Sequence, residues 1–235
     1  MTDSPTAIIT GAGSGIGQAT AQILAAAGYR LVLVGRSEEK LNDTAARVAS
    51  HGIDSLVLTA DITQADECQR IVQSAISTFG SLDALANVAG YAALLPIAKV
   101  TDDIWRLNID TNLSAIVHLT AAAWPHLKVN GGVIVNVSSM ASIDPFPNFA
   151  IYAAAKAGVN MFTKCTASEG AKSNIKAVAI APGAVETPML RAMFNEKMIP
   201  KSRALSPVDV GQVIADCITG QRTFSSGETI SIPSP

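Results

Sequence analysis

Residues 7–17 read Ala7-Ile8-Ile9-Thr10-Gly11-Ala12-Gly13-Ser14-Gly15-Ile16-Gly17. A short apolar run with the character of a buried strand passes into a glycine-rich turn, and an Ala-rich helical stretch follows. Glycine lets the backbone turn sharply and approach a bound group closely. A helix that opens there offers free N–H groups to negative charge. The spacing is GxxxGxG rather than GxGxxG, yet the physical requirement is the same: a pyrophosphate can lie on the helix N-terminus. A bare strand–helix turn with no ligand would look the same on these residues alone.

Outward from this turn the pattern keeps alternating. Gly15 to Gly28 reads as a helix, and Leu31-Val32-Leu33-Val34 as a strand. Ser37 caps a helix to about His51, and Leu56-Val57-Leu58 is a third strand. A helix over Gln64 to Phe79, a strand over Leu82 to Asn87 and one long helix from about Thr101 to Leu127 follow. Gly132 to Val137 is β-branched and apolar, as expected of a central parallel strand. The remaining elements are a helix over about Ala150 to Ala171, a strand over Ala177 to Ala181, a helix from Pro207 to about Thr219 and a strand over Glu228 to Ile232. Such alternation predicts an α/β protein with a doubly wound (Rossmann) parallel sheet of about seven strands and helices on both faces. No linker, repeat or low-complexity segment interrupts it, so residues 1–235 are expected to form one domain.

Composition agrees with buried strands. Of 235 residues 49% are hydrophobic and 15% charged, against about 25% charged in average domains. A net charge of −2 with no basic stripe argues against nucleic acid or an anionic membrane as partner. Met1 to Pro5 lacks a basic leader, and Ala84 to Ala98 is too short and too interrupted for a membrane span. Cys68, Cys165 and Cys217 are scattered, with no CxxC, and are expected as buried reduced thiols; no metal site is expected, and His51, His118 and His126 are isolated. A cytoplasmic location is the expectation.

Two regions carry chemistry. At the end of the second strand, Gly35 removes the carboxylate that would hold the ribose 2′-OH of NAD, while Arg36 and Ser37 supply donors suited to the 2′-phosphate of NADP. A solvated arginine is the plainer alternative. Asp61, after the third strand, can accept from an adenine amine or serve as a helix-start aspartate. Tyr152 and Lys156 are four apart on a predicted helix and share one face. A neighbouring ammonium, together with the positive nicotinamide of an oxidised cofactor, is expected to lower the phenol pKa, so that Tyr152 can pass a proton to a carbonyl and take one back. Ser139 ends the central strand, where doubly wound sheets bind ligands, and can polarise a carbonyl. Ser138 reads as a structural hydrogen-bonder.

These residues, in order, resemble the single-domain branch of the short-chain dehydrogenase/reductase family over nearly the whole chain. The resemblance covers Thr10 to Gly17, Asp61, Asn87-Val88-Ala89-Gly90, Asn112-Leu113-Ser114, Asn136-Val137-Ser138-Ser139, Tyr152-Ala153-Ala154-Ala155-Lys156 and Pro182-Gly183-Ala184-Val185-Glu186-Thr187. It implies Asn112, Ser139, Tyr152 and Lys156 as the catalytic set, with Asn112 holding a water in a proton relay to Lys156. It implies cofactor contacts from Gly11, Ser14, Gly15, Ile16, Gly17, Arg36, Ser37, Asp61, Ile62, Asn87, Ala89, Gly90, Tyr152, Lys156, Pro182, Gly183, Val185 and Thr187. The cofactor would be NADP, with NAD as the alternative, and the substrate a small-molecule ketone or secondary alcohol.

Several positions depart from the family pattern. Val88 replaces a usual second Asn, which would loosen a hydrogen-bond network. Ser142 stands where Gly is common, Ala177-Val178 replaces a Val-Asn pair, and Ile232 to Pro235 replaces the usual ending. A short substrate lid is expected at about 188–206, with Met and Phe side chains facing an apolar substrate across Asp144 to Phe149. Trp105 and Trp124 are expected in helix packing. Small residues such as Ala121, Ala154 and Ala157 imply a homodimer or homotetramer through the two long helices. The rival class is a non-catalytic dinucleotide-sensing protein on the same fold.

Overall fold

The computed structural model describes residues 4–235; the leaderless start read from Met1 to Pro5 falls partly on residues 1–3, outside the described residues. β1 (Thr6–Thr10), β2 (Arg30–Gly35), β3 (Ser55–Thr59), β4 (Ala84–Asn87), β5 (Gly132–Val137), β6 (Ile175–Pro182) and β7 (Thr229–Ile232) form one parallel sheet in the order β3-β2-β1-β4-β5-β6-β7. This is the doubly wound sheet the alternation predicts. The chain winds outward from β1 to β3, then returns to place β4 on the other side of β1. The connections leaving β1 and β4 therefore diverge, and a crevice opens at the carboxyl ends of these two strands.

Both faces of the sheet are covered, which is why its strands are apolar throughout rather than alternating. Ala7, Ile9, Leu31, Leu33, Val135, Val178 and Ile180 pack on one face with Leu24 of α1 (Gly15–Ala26), Leu41 of α2 (Glu38–Ala49) and Ile214 of α8 (Pro207–Thr219). Ile8, Val32, Val34, Leu85 and Ile134 turn to the other face. There they meet Ile71 of α3 (Ala65–Phe79) and Leu119 and Leu127 of α5 (Ala115–Asn130). This double burial is one source of the low charged fraction.

The single long helix expected over Thr101–Leu127 is two helices. α4 (Asp102–Ile109) passes through one π-helical turn, Asp110–Ser114, before α5 begins. Apolar spacing cannot distinguish the two cases, because a π turn inserts one residue without breaking the rod. Trp105 is 40% exposed, not packed as expected, while Trp124 is partly buried against the second face. Cys68 and Cys217 are buried, but Cys165 is exposed on α6 (Ala150–Gly170), contrary to expectation. Among the described residues no helix is long and apolar enough to cross a membrane.

α6 is fastened to the sheet by buried polar groups. Asn87 Nδ2 donates to Asn136 Oδ1 at 2.8 Å, Asn136 Nδ2 donates to Thr163 Oγ1 at 2.9 Å, and Thr163 Oγ1 donates to the Val159 carbonyl at 2.7 Å. The network spans β4, β5 and α6. Asn136→Ala leaves the Asn87 amide and the Thr163 hydroxyl without this partner, and each buried orphan costs about 1–3 kcal/mol. The urea midpoint is expected to fall by the equivalent of about 2–4 kcal/mol at unchanged slope; an unaltered midpoint would show the network to be dispensable.

Candidate active site

One continuous cleft of about 520 Å³ runs along the carboxyl ends of the strands. At the β1 end its floor is the glycine turn. Gly11 has φ +67°, and a Cβ there would lie 2.9 Å from Ala89 Cα. A Cβ on Gly15, at φ +54°, would lie 2.9 Å from Thr187 Cγ2, and one on Gly17 would strike the Gly11 carbonyl oxygen at 2.3 Å. These glycines are required for closeness: they let the turn touch the β4 exit and the segment after β6. Thr44 Oγ1 donates to the Ala12 carbonyl at 2.9 Å and so locks the turn to α2.

Ser14 is the N-cap of α1, yet its side chain makes no capping bond. Ser37, Thr101, Thr187 and Ser206 all cap their helices with side-chain oxygens. The first turn of α1 thus presents uncommitted N–H groups and a hydroxyl to the cleft, the arrangement that suits a phosphate. The cradle fits a dinucleotide pyrophosphate: its glycines and the uncapped start of α1 line the cleft together.

Arg36, Ser37, Asp61 and Ile62 line the same end of the cleft. Asp61 Oδ1 accepts from the Thr63 amide at 3.0 Å and the Thr63 hydroxyl at 2.8 Å, so one oxygen shapes the turn. Sequence reasoning missed Lys40. It sits on the cleft because Gly13 has no side chain: a Cβ there would meet Lys40 Cβ at 3.0 Å. Two cations, Arg36 and Lys40, therefore face this end.

Halfway along, Ala89 and Gly90 form the wall. The loss of a second Asn at Val88 does not free this backbone, because Thr10 Oγ1 accepts from the Val88 amide at 3.0 Å and the Ala89 amide at 3.1 Å. Asn87 and Asn112 stand behind the wall rather than on it. Asn87 directs its Nδ2 to Asn136, and its Oδ1 is buried without a partner among the described residues. Asn112, in the π turn, donates to the Tyr91 and Asn108 carbonyls at 2.7 and 2.9 Å and accepts from the Tyr91 amide at 3.1 Å. Its side chain is thus committed to the backbone.

Ser139, Tyr152 and Lys156 meet on the β5–α6 side of the cleft. Lys156 is 2% exposed, and its Nζ donates to the Val137 carbonyl at 2.8 Å while lying 5.7 Å from the centre of the Tyr152 ring. Burial pushes its ammonium down to about 7. Burial likewise pushes the Tyr152 phenol up to about 12, against the smaller downward pull of its hydrogen bond with Ser139. In the protein alone, with no nicotinamide charge beside it, burial dominates the Tyr152 phenol. Desolvation penalises both charged forms and outweighs their attraction. Ser138, buried, donates to the Lys156 carbonyl at 3.1 Å and has the structural role expected. Ser142 accepts from Asn160 Nδ2 at 2.8 Å and donates to the Ser139 carbonyl at 2.6 Å. Its hydroxyl thereby ties α6 to the Ser139 turn.

The far wall follows β6. Pro182, Gly183, Val185 and Thr187 line it. The C-terminal segment supports this wall: Ser234 Oγ accepts from the Ala184 amide at 2.8 Å, in space that a Cβ on Gly183 would occupy. Thr187 caps a short helix absent from the sequence reading, α7 (Pro188–Met193), by accepting from the Leu190 amide at 3.2 Å. Residues 187–206 are closed at their base by Glu186 N–H to the Leu205 carbonyl at 2.9 Å. Arg191 holds the loop from within. It pairs with Glu186 and donates to the Phe194 and Ile199 carbonyls at 3.3 and 2.8 Å.

The short chain dehydrogenase family model matches residues 5–198. An uncharacterized oxidoreductase of Staphylococcus epidermidis is 34% identical over 193 residues, covering 81% of this chain and 83% of the relative. A 3-oxoacyl-[acyl-carrier-protein] reductase of Staphylococcus aureus is 32% identical, covering 99% and 98%. Among solved structures, a 3-ketoacyl-(acyl-carrier-protein) reductase from Brucella melitensis complexed with NADH superposes with a TM-score of 0.90 at 31% identity, covering 99% and 98%. A variant of actinorhodin polyketide ketoreductase with NADPH superposes at 0.92 and 27% identity, covering 99% and 97%.

The burial of Lys156 has a pH signature. An unfolded lysine keeps its proton to about pH 10.4, whereas the folded one loses it near 7. Above pH 7 the unfolded chain therefore binds more protons, and stability rises with pH. Above about pH 9 the trend reverses, because burial raises the folded thiols of Cys68 and Cys217 to about 11 and the unfolded thiols ionise first. Nucleotide-free protein is expected to gain up to about 1 kcal/mol per pH unit between pH 7 and 9. Lys156→Met should flatten that rise in urea titrations; an equal rise in the variant would place its origin elsewhere.

Proposed function

Because the chain belongs to the short-chain dehydrogenase/reductase family, we propose that it is an NADP-preferring carbonyl reductase or alcohol dehydrogenase acting on a ketone or secondary alcohol. The convergence of Ser139, Tyr152 and buried Lys156 on the same cleft as the uncapped end of α1 carries this reading. Gly11, Ser14, Gly15, Ile16 and Gly17 hold the pyrophosphate, Asp61 and Ile62 meet the adenine, and the Pro182–Thr187 wall with Ala89 and Gly90 holds the nicotinamide half. When bound, reduced nicotinamide supplies the hydride that turns the carbonyl carbon into a carbinol carbon.

The protein supplies the proton and the orientation. Ser139 Oγ donates to the carbonyl oxygen and aligns it. The Tyr152 phenol, protonated at neutral pH, delivers its proton to that oxygen as negative charge develops there. The resulting phenolate is stabilised by the Lys156 ammonium above its ring, and in the oxidative direction it accepts the proton from the alcohol. Asn112 acts on the site by fixing the Tyr91 backbone, next to Gly90, where a Cβ would lie 3.7 Å from Lys156 Nζ.

Arg36 and Lys40 favour NADP, since both cations meet a 2′-phosphate at a site without a carboxylate on the preceding residue, Gly35. A cytoplasmic enzyme is the proposed setting. Exposed Ala121, Ala154, Ala157 and Met161 on α5 and α6 supply close-packing surface for a homodimer or homotetramer.

Tyr152→Phe is expected to keep NADPH affinity within about twofold while lowering kcat by about 100- to 10,000-fold, the usual worth of a positioned acid. Cofactor binding with no turnover of any ketone by the native chain would instead assign a dinucleotide-sensing role. Arg36→Ala should weaken NADPH about tenfold or more, the scale of a charged hydrogen bond, and leave NADH nearly unchanged. Tighter NADH than NADPH in titrations of the native protein would overturn the coenzyme assignment.

A further inference from the structure

The substrate end of the cleft has a wall that no motif described. Phe146-Pro147-Asn148-Phe149 is a tight turn closed by the Phe149 amide donating to the Phe146 carbonyl at 3.3 Å, with Asn148 at φ +69°. Pro at the second position and Asn at the third are what a turn with a left-handed third residue requires. Closing the turn brings the two phenyl rings face to face, 4.6 Å apart and 21° from parallel. The Asn148 carbonyl also accepts from the Leu95 amide at 2.9 Å, which pins the turn to the loop after β4. Phe149 lies 4.6 Å from the Tyr152 ring, and Phe146 meets Phe194 edge-on at 6.2 Å. All four rings line the cleft, so a continuous aromatic ladder runs from Tyr152 out to the segment that Arg191 holds.

Charge is arranged to match. Among the described residues lining the cleft, the charged side chains on the β5–α6 side are Asp144 and Lys156, and Lys156 is tied to the Val137 carbonyl. A carboxylate or phosphate substrate entering past the ladder meets an exposed carboxylate and no free cation.

We propose that this ladder is a recognition surface for an aromatic ring, and that the substrates are uncharged ketones or alcohols with an aryl group next to the reacting carbon. The proposal rests on the carbonyl reductase reading above. Rings prefer offset-stacked or edge-to-face partners, and an aromatic pair is worth about 3- to 10-fold beyond the area it buries. Phe146, 45% exposed, leaves ring surface available for such a contact.

The test compares propiophenone, 2-nonanone and a 3-oxo carboxylate as substrates of the full chain with NADPH. In parallel, calorimetry reads binding of the same compounds to the NADP-loaded protein. Propiophenone is expected to exceed 2-nonanone by about 3- to 10-fold in kcat/KM and in affinity, and the carboxylate to be the poorest. Phe146→Leu and Phe194→Leu, on separate elements, should each move the aryl-to-alkyl ratio toward one, and Asp144→Asn should improve the carboxylate. Turnover with no aryl preference, a ratio untouched by both phenylalanine variants, or a preference for the carboxylate overturns the ladder while leaving the reductase reading intact. Aryl-selective binding without turnover of any compound upholds the ladder and overturns the reductase reading.

Discussion

The seating of α6 on β5 is the constraint from which the candidate site follows. Three buried contacts make it: Asn136 to Thr163, Ser138 to the Lys156 carbonyl and Lys156 Nζ to the Val137 carbonyl. Each joins β5 or the residue just past it to the helix at a different depth, so α6 can neither slide nor rotate without leaving a buried polar group unmatched. Tyr152 inherits its place from that seating. So does Phe149, whose carbonyl accepts from the Ala153 amide at 2.9 Å. The same burial keeps Tyr152 protonated and brings Lys156 down to about 7 in the protein alone, so that the lysine's charge state responds to what enters the cleft.

The cleft divides its labour by charge. Its β1–β3 side has Arg36, Lys40 and the uncapped start of α1, which favour negative charge, beside the Asp61 carboxylate. Its β5–α6 side offers rings, methionines and a single exposed carboxylate. Glycines join the halves, because the turn after β1, the exit of β4 and the segment after β6 can touch only where side chains are missing. The loop after β6 is held inward by Arg191 rather than left as loose Met and Phe side chains, so the aromatic wall is largely formed before a substrate arrives.

Much of this was legible in the sequence wherever the signal is local. The glycine turn and the Tyr152–Lys156 spacing depend on neighbours a few residues away, and the strand periods are read the same way. The π turn at Asp110–Ser114 left no trace, since one inserted residue does not disturb an apolar pattern read over several turns. Lys40 was hidden because a lysine in the first turn of a helix looks like any solvated charge until Gly13 is seen beneath it. The exposed Trp105 and Cys165 were misread for a related reason: an apolar residue type does not say which face of its helix meets the sheet.

By itself, then, the sequence determined the alternation of strands and helices, the doubly wound sheet and most of the residues that gather at its carboxyl edge. These follow from periodicity, turn chemistry and a connection rule that admits one hand. Only the tertiary structure decided the ionisation balance of Tyr152 and Lys156, the support of the β6 wall by Ser234 and the joining of Phe146, Phe149 and Phe194 into one surface. Each of these is set by atoms distant in the chain, and desolvation, reach and ring contact are properties of the space between elements rather than of any element alone.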